Sequence, residues 1–236
     1  MLEKIIFYAL LIIAITLIIL FKKLTPVAAM VGGLLTTLIY FGSGYVGVAM
    51  LAAFFIVGTF ATSWKHKLKQ RIGVAELNKG QRTTGQVFAN AGMAAILSIL
   101  AFIFPTHTNL LQVLIAACFS SATADTLSSE MGNIYGKKYF NILNFKKDSR
   151  GLNGVISLEG TLFGLAGSVI IAAIYAIVFG GWQQCLIIIV AGTIGNFSDS
   201  ILGATVERTG TIANNTVNFI NTAIAAASAF LLMLLN

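Results

Sequence analysis

The sequence predicts an all-α polytopic membrane protein, a single domain of about eight transmembrane helices in degenerate helix-loop-helix repeats with both termini outside. Three observations carry this. Hydrophobic residues make up 57% of the 236-residue chain and charged residues only 10%, with a mean hydropathy of +0.89, whereas a soluble domain carries roughly 25% charged residues. The apolar residues come in long runs rather than on one face of each segment, so lipid is their expected solvent. The basic residues fall almost wholly in alternate connections between those runs.

The runs lie at about 5–21, 26–41, 45–63, 86–104, 110–131, 159–180, 183–206 and 212–235. A helix rising ~1.5 Å per residue needs ~20 residues to cross ~30 Å of hydrocarbon, and the second run is short enough to be re-entrant. The first run follows Met1-Leu2-Glu3-Lys4 and ends at Lys22-Lys23 without a small-residue cleavage site, which reads as a first span rather than a signal peptide. Cys118 and Cys185 both lie inside apolar runs, where free Cys behaves as a small hydrophobe, and mark neither a disulfide framework nor a metal site.

Connections after odd-numbered runs hold Lys22 and Lys23, then Lys65, Lys67, Lys69, Arg71, Lys79 and Arg82, then Lys137, Lys138, Lys146, Lys147 and Arg150, then Arg208. Those after even-numbered runs, "GSG", "PTHTN" and "GGWQQ", hold no Lys, Arg, Asp or Glu. The positive-inside rule then places the basic loops 64–85 and 132–158 in the cytoplasm. The net charge of +7 is thus a one-sided basic face, for which topology and attraction to anionic headgroups are one reading. No nucleic-acid-binding motif accompanies it.

Polar groups in hydrocarbon are costly and usually face a bundle interior. Here they gather at the cytoplasmic ends of the runs. "RTTGQVFANAG" from Arg82 and "RTGTIANNTVN" from Arg208 open two of them, with "LEGTLFGLAG" from Leu158 a weaker version, while "ADTLSSE" from Ala124 and "SDSILGA" from Ser198 close two others. Residues three or four apart share a helix side. That spacing groups Arg82, Gln86 and Asn90; Asn196, Asp199, Gly203 and Glu207; and Asn214, Asn218 and Asn221. Ser121, Asp125, Ser128 and Ser129 share a side, from which Glu130 is rotated away.

Asp125 and Asp199, each beside hydroxyls, suit a divalent-cation site. Mg2+ takes oxygen ligands, uses one or two carboxylates and commonly bridges to substrate phosphates. The alternative is an ion pair of each acid with a loop Lys or Arg. The segment "KKDSRGLNG", with Lys146, Lys147, Ser149, Arg150 and Asn153, combines cations with glycines that let backbone N–H groups approach an anion. This is neither a Walker A motif nor a dinucleotide fingerprint, and the alternative is an ordinary basic loop.

The stretches "KGQRTTGQVFAN", "ATADTLSSEMG", "DSRGLNGVISLEGTLFGLAGS" and "GNFSDSILGATVE" resemble, in that order and over nearly the whole chain, bacterial members of the integral-membrane family of domain of unknown function 92, which includes the transmembrane protein 19 group. Its functionally assigned branch is the phytyl-phosphate kinase of photosynthetic organisms. The resemblance implies nucleotide-dependent phosphoryl transfer to an isoprenoid or other lipid monophosphate, with CTP as favoured donor. By motif position it implicates Asp125, Glu130, Arg150, Asn153 and Asp199.

The expected site has Asp125, Asp199 and Arg150 as catalytic groups, with Asp125, Asp199 and Glu130 around Mg2+. Lys79, Arg82, Lys146, Lys147 and Ser149 bind phosphate, and Asn90, Asn153, Asn214 and Asn218 orient oxygens. Expected partners are membrane lipids, an isoprenoid or polyprenyl phosphate and a nucleotide, with the site on the cytoplasmic side of a bacterial inner membrane. The other readings are an ion-coupled transporter or lipid flippase, and a nucleotidyltransferase acting on a lipid phosphate.

Overall fold

The computed structural model describes residues 1–75 and 80–235. The chain is a helical polytopic membrane protein. Its α-helices are α1 (Leu2–Leu20), α2 (Pro26–Ser63), α3 (His66–Arg71), α4 (Thr84–Ile103), α5 (Thr108–Tyr135), α6 (Leu158–Phe179), α7 (Trp182–Leu202) and α8 (Asn214–Leu234). Among the described residues all but α3 are long and apolar enough to cross a membrane.

Local chemistry sets the helix starts. Thr25 caps α2, accepting from the Ala28 N–H, and Pro26 takes a first-turn position where its missing N–H costs nothing. Thr83 and Gln86 form a reciprocal capping box at α4. Ser157 accepts from the Gly160 N–H at α6.

The expected second and third spans both lie in α2, which is not one rod. Gly44 interrupts it with φ 60° and ψ −157°, backbone angles open essentially to glycine alone. Thirty-eight residues of straight helix would extend ~57 Å, yet Lys23, just before α2, donates to Ser63 at its end across 3.4 Å. The chain therefore doubles back at Gly44 into limbs 26–43 and 45–63.

The bundle is built around α5. Its residues from Leu111 to Ala124 are buried without interruption, and its neighbours are α2, α4, α6, α7 and α8. A helix apolar on all sides belongs in the centre of a bundle. Small residues permit the close approach: a side chain at Gly192 or Gly195 of α7 would overlap Ser120 or Ser121 of α5. Near the start of α5 Gln112 donates to the Gly42 carbonyl.

The basic connections converge at the opposite end. Leu24 and Arg82 form a parallel bridge, Arg208 pairs with Asp148 at 2.9 Å, and Arg150 donates to the Asn133 carbonyl at 3.4 Å. The loop between α5 and α6 carries a two-residue antiparallel ladder, β1 (Phe140–Asn141) with β2 (Val155–Ile156), Phe140 opposite Ile156 and Asn141 opposite Val155. No hydropathy signal announced it. Asn141 builds it locally, accepting from the Leu143 N–H and donating to Asp148.

Candidate active site

At the basic end of the bundle, α4, α5, α7, α8 and the β1–β2 loop enclose a polar cavity of about 230 Å³. Asp125 enters from α5 and Asp199 from α7, and their carboxyl groups lie within side-chain hydrogen-bonding reach of each other. The two acids are 74 positions apart in the chain (199 − 125). They meet because α5 and α7 pack through glycine, serine and alanine.

A relay holds Asp199 in place. Asn221 of α8, fully enclosed at 1% exposure, donates to its Oδ1 at 2.8 Å and accepts from Ser121 of α5 at 3.1 Å. Ser128 donates to Asn196 at 2.9 Å, a second tie between α5 and α7. Beyond Asp199, α7 opens into a π-helical turn, Gly203–Glu207, with the Arg208 N–H reaching back to the Gly203 carbonyl. In a regular helix each i, i+4 step drifts by about 40° around the axis, and the wider turn reduces that drift. It leaves Glu207 lining the cavity, in side-chain hydrogen-bonding range of Asn153 and Asn214.

The loop seats itself on this turn through Gly154. Its φ of 75° suits glycine, and a side chain there would run into Ala204. Asn153 thereby reaches the cavity wall. From the other side comes Arg82, 8% exposed, with its guanidinium 5.0 Å from the centre of the Phe54 ring and close to Asp125. The Asn218 Oδ1 is buried with no hydrogen-bond partner among the described residues, although such atoms are normally satisfied.

Of the residues singled out from sequence, Asp125, Asp199, Glu130, Arg82, Asn90, Asn153, Asn214 and Asn218 line this cavity. Lys79 lies outside the described residues. Lys146, Lys147 and Ser149 are exposed and not among the lining residues, because the turn closed by Asn141 and Asn144 directs that end of the loop into solvent. Arg150 is also exposed, its guanidinium 5.7 Å from the ring centre of Tyr139, a lining residue, so it stands at the rim rather than inside.

Glu130, expected beside Asp125 and Asp199, has a partner of its own. Glu130 is bound by Lys69, which also donates to the Ala61 and Thr62 carbonyls at the end of α2. Among the described residues no three His, Cys, Asp or Glu side chains are placed to share a metal ion. Asp125 and Asp199 face each other in the cavity, and Glu207 lines it with them.

Lys69, Asn221 and Glu207 were missed. Asn221 and Glu207 sat on the polar stripes of their helices, but nothing in those stripes told a lining residue from a packing one. Lys69 looked like one loop lysine among several.

The sequence profile of the family described as integral membrane protein DUF92 matches residues 9–226. Protein VTE6, chloroplastic, of Arabidopsis thaliana is 34% identical over 208 residues, covering 84% of this chain and 62% of VTE6. The uncharacterized membrane protein sll0875 of Synechocystis sp. is 33% identical over 211 residues, covering 88% of this chain and 82% of that protein. The uncharacterized membrane protein MJ0933 of Methanocaldococcus jannaschii is 31% identical over 185 residues, covering 78% and 75%. This chain thus spans less than two thirds of the length of VTE6. No solved structure matches it.

Proposed function

This chain belongs to the DUF92 family of integral membrane proteins, and we propose that it is a membrane-embedded kinase transferring a phosphoryl group from a nucleotide, CTP favoured, to an isoprenoid or other lipid monophosphate. The observation that carries the reading is the apposition of Asp125 and Asp199 in a polar cavity also lined by Arg82, at the end of the bundle where the basic connections gather. By the positive-inside rule that end is cytoplasmic, where nucleotides are found.

The residues suit Mg2+. Two facing carboxylates, the unsatisfied Asn218 Oδ1 and the Asn153 and Asn214 amides make an oxygen-only donor set, and Mg2+ prefers one or two carboxylates completed by water and phosphate. Asp125 and Asp199 would hold the ion, which supplies charge neutralisation on the nucleotide phosphates. Arg82 contributes a fixed cation against phosphate oxygens, and Asn221 keeps the Asp199 carboxylate oriented through its 2.8 Å bond.

The reaction asks little else of the chain. A phosphate oxygen of the lipid monophosphate forms a bond to the terminal phosphorus of the nucleotide. The bond from that phosphorus to the bridging oxygen breaks, and the nucleoside diphosphate leaves with the electron pair. The attacking oxygen is already anionic at neutral pH, so no strong general base is needed, in keeping with catalysis by positioning and electrostatics.

A carrier would need its acids open to both sides of the membrane. Here residues 111–124 of α5, beyond the cavity, are buried in helix packing. Purified protein with Mg2+ and γ-labelled CTP, ATP or GTP is expected to convert farnesyl or geranylgeranyl phosphate to the diphosphate. No labelled product with any donor, alongside substrate flux in nucleotide-free proteoliposomes, would sink the reading. Labelled lipid from α- but not γ-labelled nucleotide would indicate nucleotidyl transfer instead.

A further inference from the structure

We propose that the apolar groove between α1 and the α2 hairpin holds the hydrocarbon tail of the phosphate substrate and limits its length. This rests on the lipid-phosphate kinase reading and adds a second site to it.

The groove has a volume of about 510 Å³ and is walled by α1 (Leu10, Ala14, Ile18), by both limbs of α2 and by Val87 and Ala91 of α4. Helix α1 meets α2 mainly at its two ends, through Phe7 on Tyr40 and through Ile15, Ile18 and Ile19 on Leu24, Ala28 and Ala29, and Phe7 is its one buried residue among those described. The space it leaves is lined almost wholly by carbon. The Thr36 hydroxyl in the wall is already bonded to the Gly32 carbonyl at 2.7 Å, so that wall prefers hydrocarbon to water.

The two ends of the groove differ. At the basic end the one charged residue among its described lining is Arg82, and Arg82 also lines the Asp125–Asp199 cavity. Buried Arg82 therefore borders both spaces, one carbon-walled and the other oxygen-rich. That is the complement of an amphiphile with an anionic phosphate on a single apolar tail. At the outer end Phe7 stacks on Tyr40, ring centres 3.8 Å apart at 9°, with Tyr45 edge-on to both. Tyr40 and Tyr45 hydroxyls donate to Glu3 at 3.3 and 3.2 Å. This tied aromatic cluster closes the groove. From Phe7 to Ile18 the α1 wall rises ~16 Å, which sets the length of tail that fits before the cluster stops it. A bilayer chain can also slip into such a groove, but only a phosphate-bearing tail gains from Arg82 at the same time.

The test reads binding, not turnover. Geranylgeranyl phosphate carrying a diazirine at the end of its tail is photolysed on the wild-type protein in nanodiscs without nucleotide. Label is expected on residues 7–14 of α1 and 45–52 of α2. Ala14→Trp and Ala52→Trp fill the groove from opposite walls at exposed positions and are expected to weaken geranylgeranyl phosphate binding about tenfold or more. CTP binding should be unchanged, which also reports that they fold. Phe7→Ala opens the far end and shifts preference towards chains one isoprene unit longer. Label confined to α6, α7 or α8 overturns the proposal. So does undiminished binding in both tryptophan variants, or equal displacement by phosphatidic acid or by geranylgeraniol. If either variant fails to fold, the wild-type labelling map decides alone. Groove labelling without transfer would sink the kinase reading and leave the groove standing; transfer with label elsewhere does the reverse.

Discussion

Lys69 of α3 forms an ion pair with Glu130 of α5 across 61 positions of chain, with both side chains at or below 10% exposure. The same ammonium group ties down the last carbonyls of α2, favourable at a helix C-terminus. One lysine thus joins three helices beside the site. Removing one partner strands the other as an uncompensated charge, so Lys69→Met or Glu130→Gln is expected to destabilise by about 3–5 kcal/mol. Replacing both with apolar residues should recover most of that in a detergent melting experiment. A Lys69→Met protein that melts like wild type would show the pair to be idle.

Asp125 and Asp199 set two carboxyl groups side by side in a buried cavity. Asp125→Asn and Asp199→Asn should each lower phosphoryl transfer by about 10³-fold or more, since each removes a proposed metal ligand. The same substitutions should hold or raise the melting temperature, because each replaces a buried ionisable group kept for function by a neutral amide of the same shape. Loss of activity with loss of fold would point instead to a structural role.

Asn221 reaches Asp199 but is not among the residues lining the cavity. Asn221→Ala should therefore act through orientation, costing about 10–100-fold in activity and raising the Mg2+ concentration for half-maximal rate. Unchanged Mg2+ dependence would exclude that route.

Asp148 is held below the usual carboxylate range, first by Arg208, then by the Ser149 N–H and the Asn141 amide. A depressed folded value contributes stability above the unfolded aspartate value of about 4 and loses it as pH falls through the folded one. Hydrogen exchange over residues 141–150, taken relative to the unstructured chain at each pH, should accordingly be slow at neutral pH and quicken only on strong acidification. In Arg208→Ala or Asp148→Asn it should be fast throughout. The pair is exposed, so high salt should weaken the protection.

Gly44 turns α2 back on itself with backbone angles that other residues avoid. Gly44→Ala should cost about 1–3 kcal/mol, read as a lower melting temperature, whereas Gly73→Ala, also at positive φ but in a connection outside the bundle, should disturb the bundle less.

Hydropathy and charge determined much by themselves: a helical membrane chain, the approximate ends of its apolar segments, and one face carrying nearly all the basic residues. These are summed properties of a segment, and a sum survives ignorance of neighbours. Helical spacing went one step further, placing Asp125 with Ser121 and Ser128, and Asp199 with Asn196, because neighbours within a turn are set by the helix itself. It also separated Glu130 from Asp125, but could not supply the partner that claims Glu130.

Everything between helices was decided by the tertiary structure. That Asp125 faces Asp199, that Lys69 pairs with Glu130, and that Lys146 and Lys147 point to solvent all follow from packing. Glycine and serine let α5 and α7 approach, Gly44 reverses α2, and Asn141 folds the basic loop into a ladder. Such contacts depend on the position and rotation of whole helices about one another, and a one-dimensional pattern carries residue type and phase but not that placement.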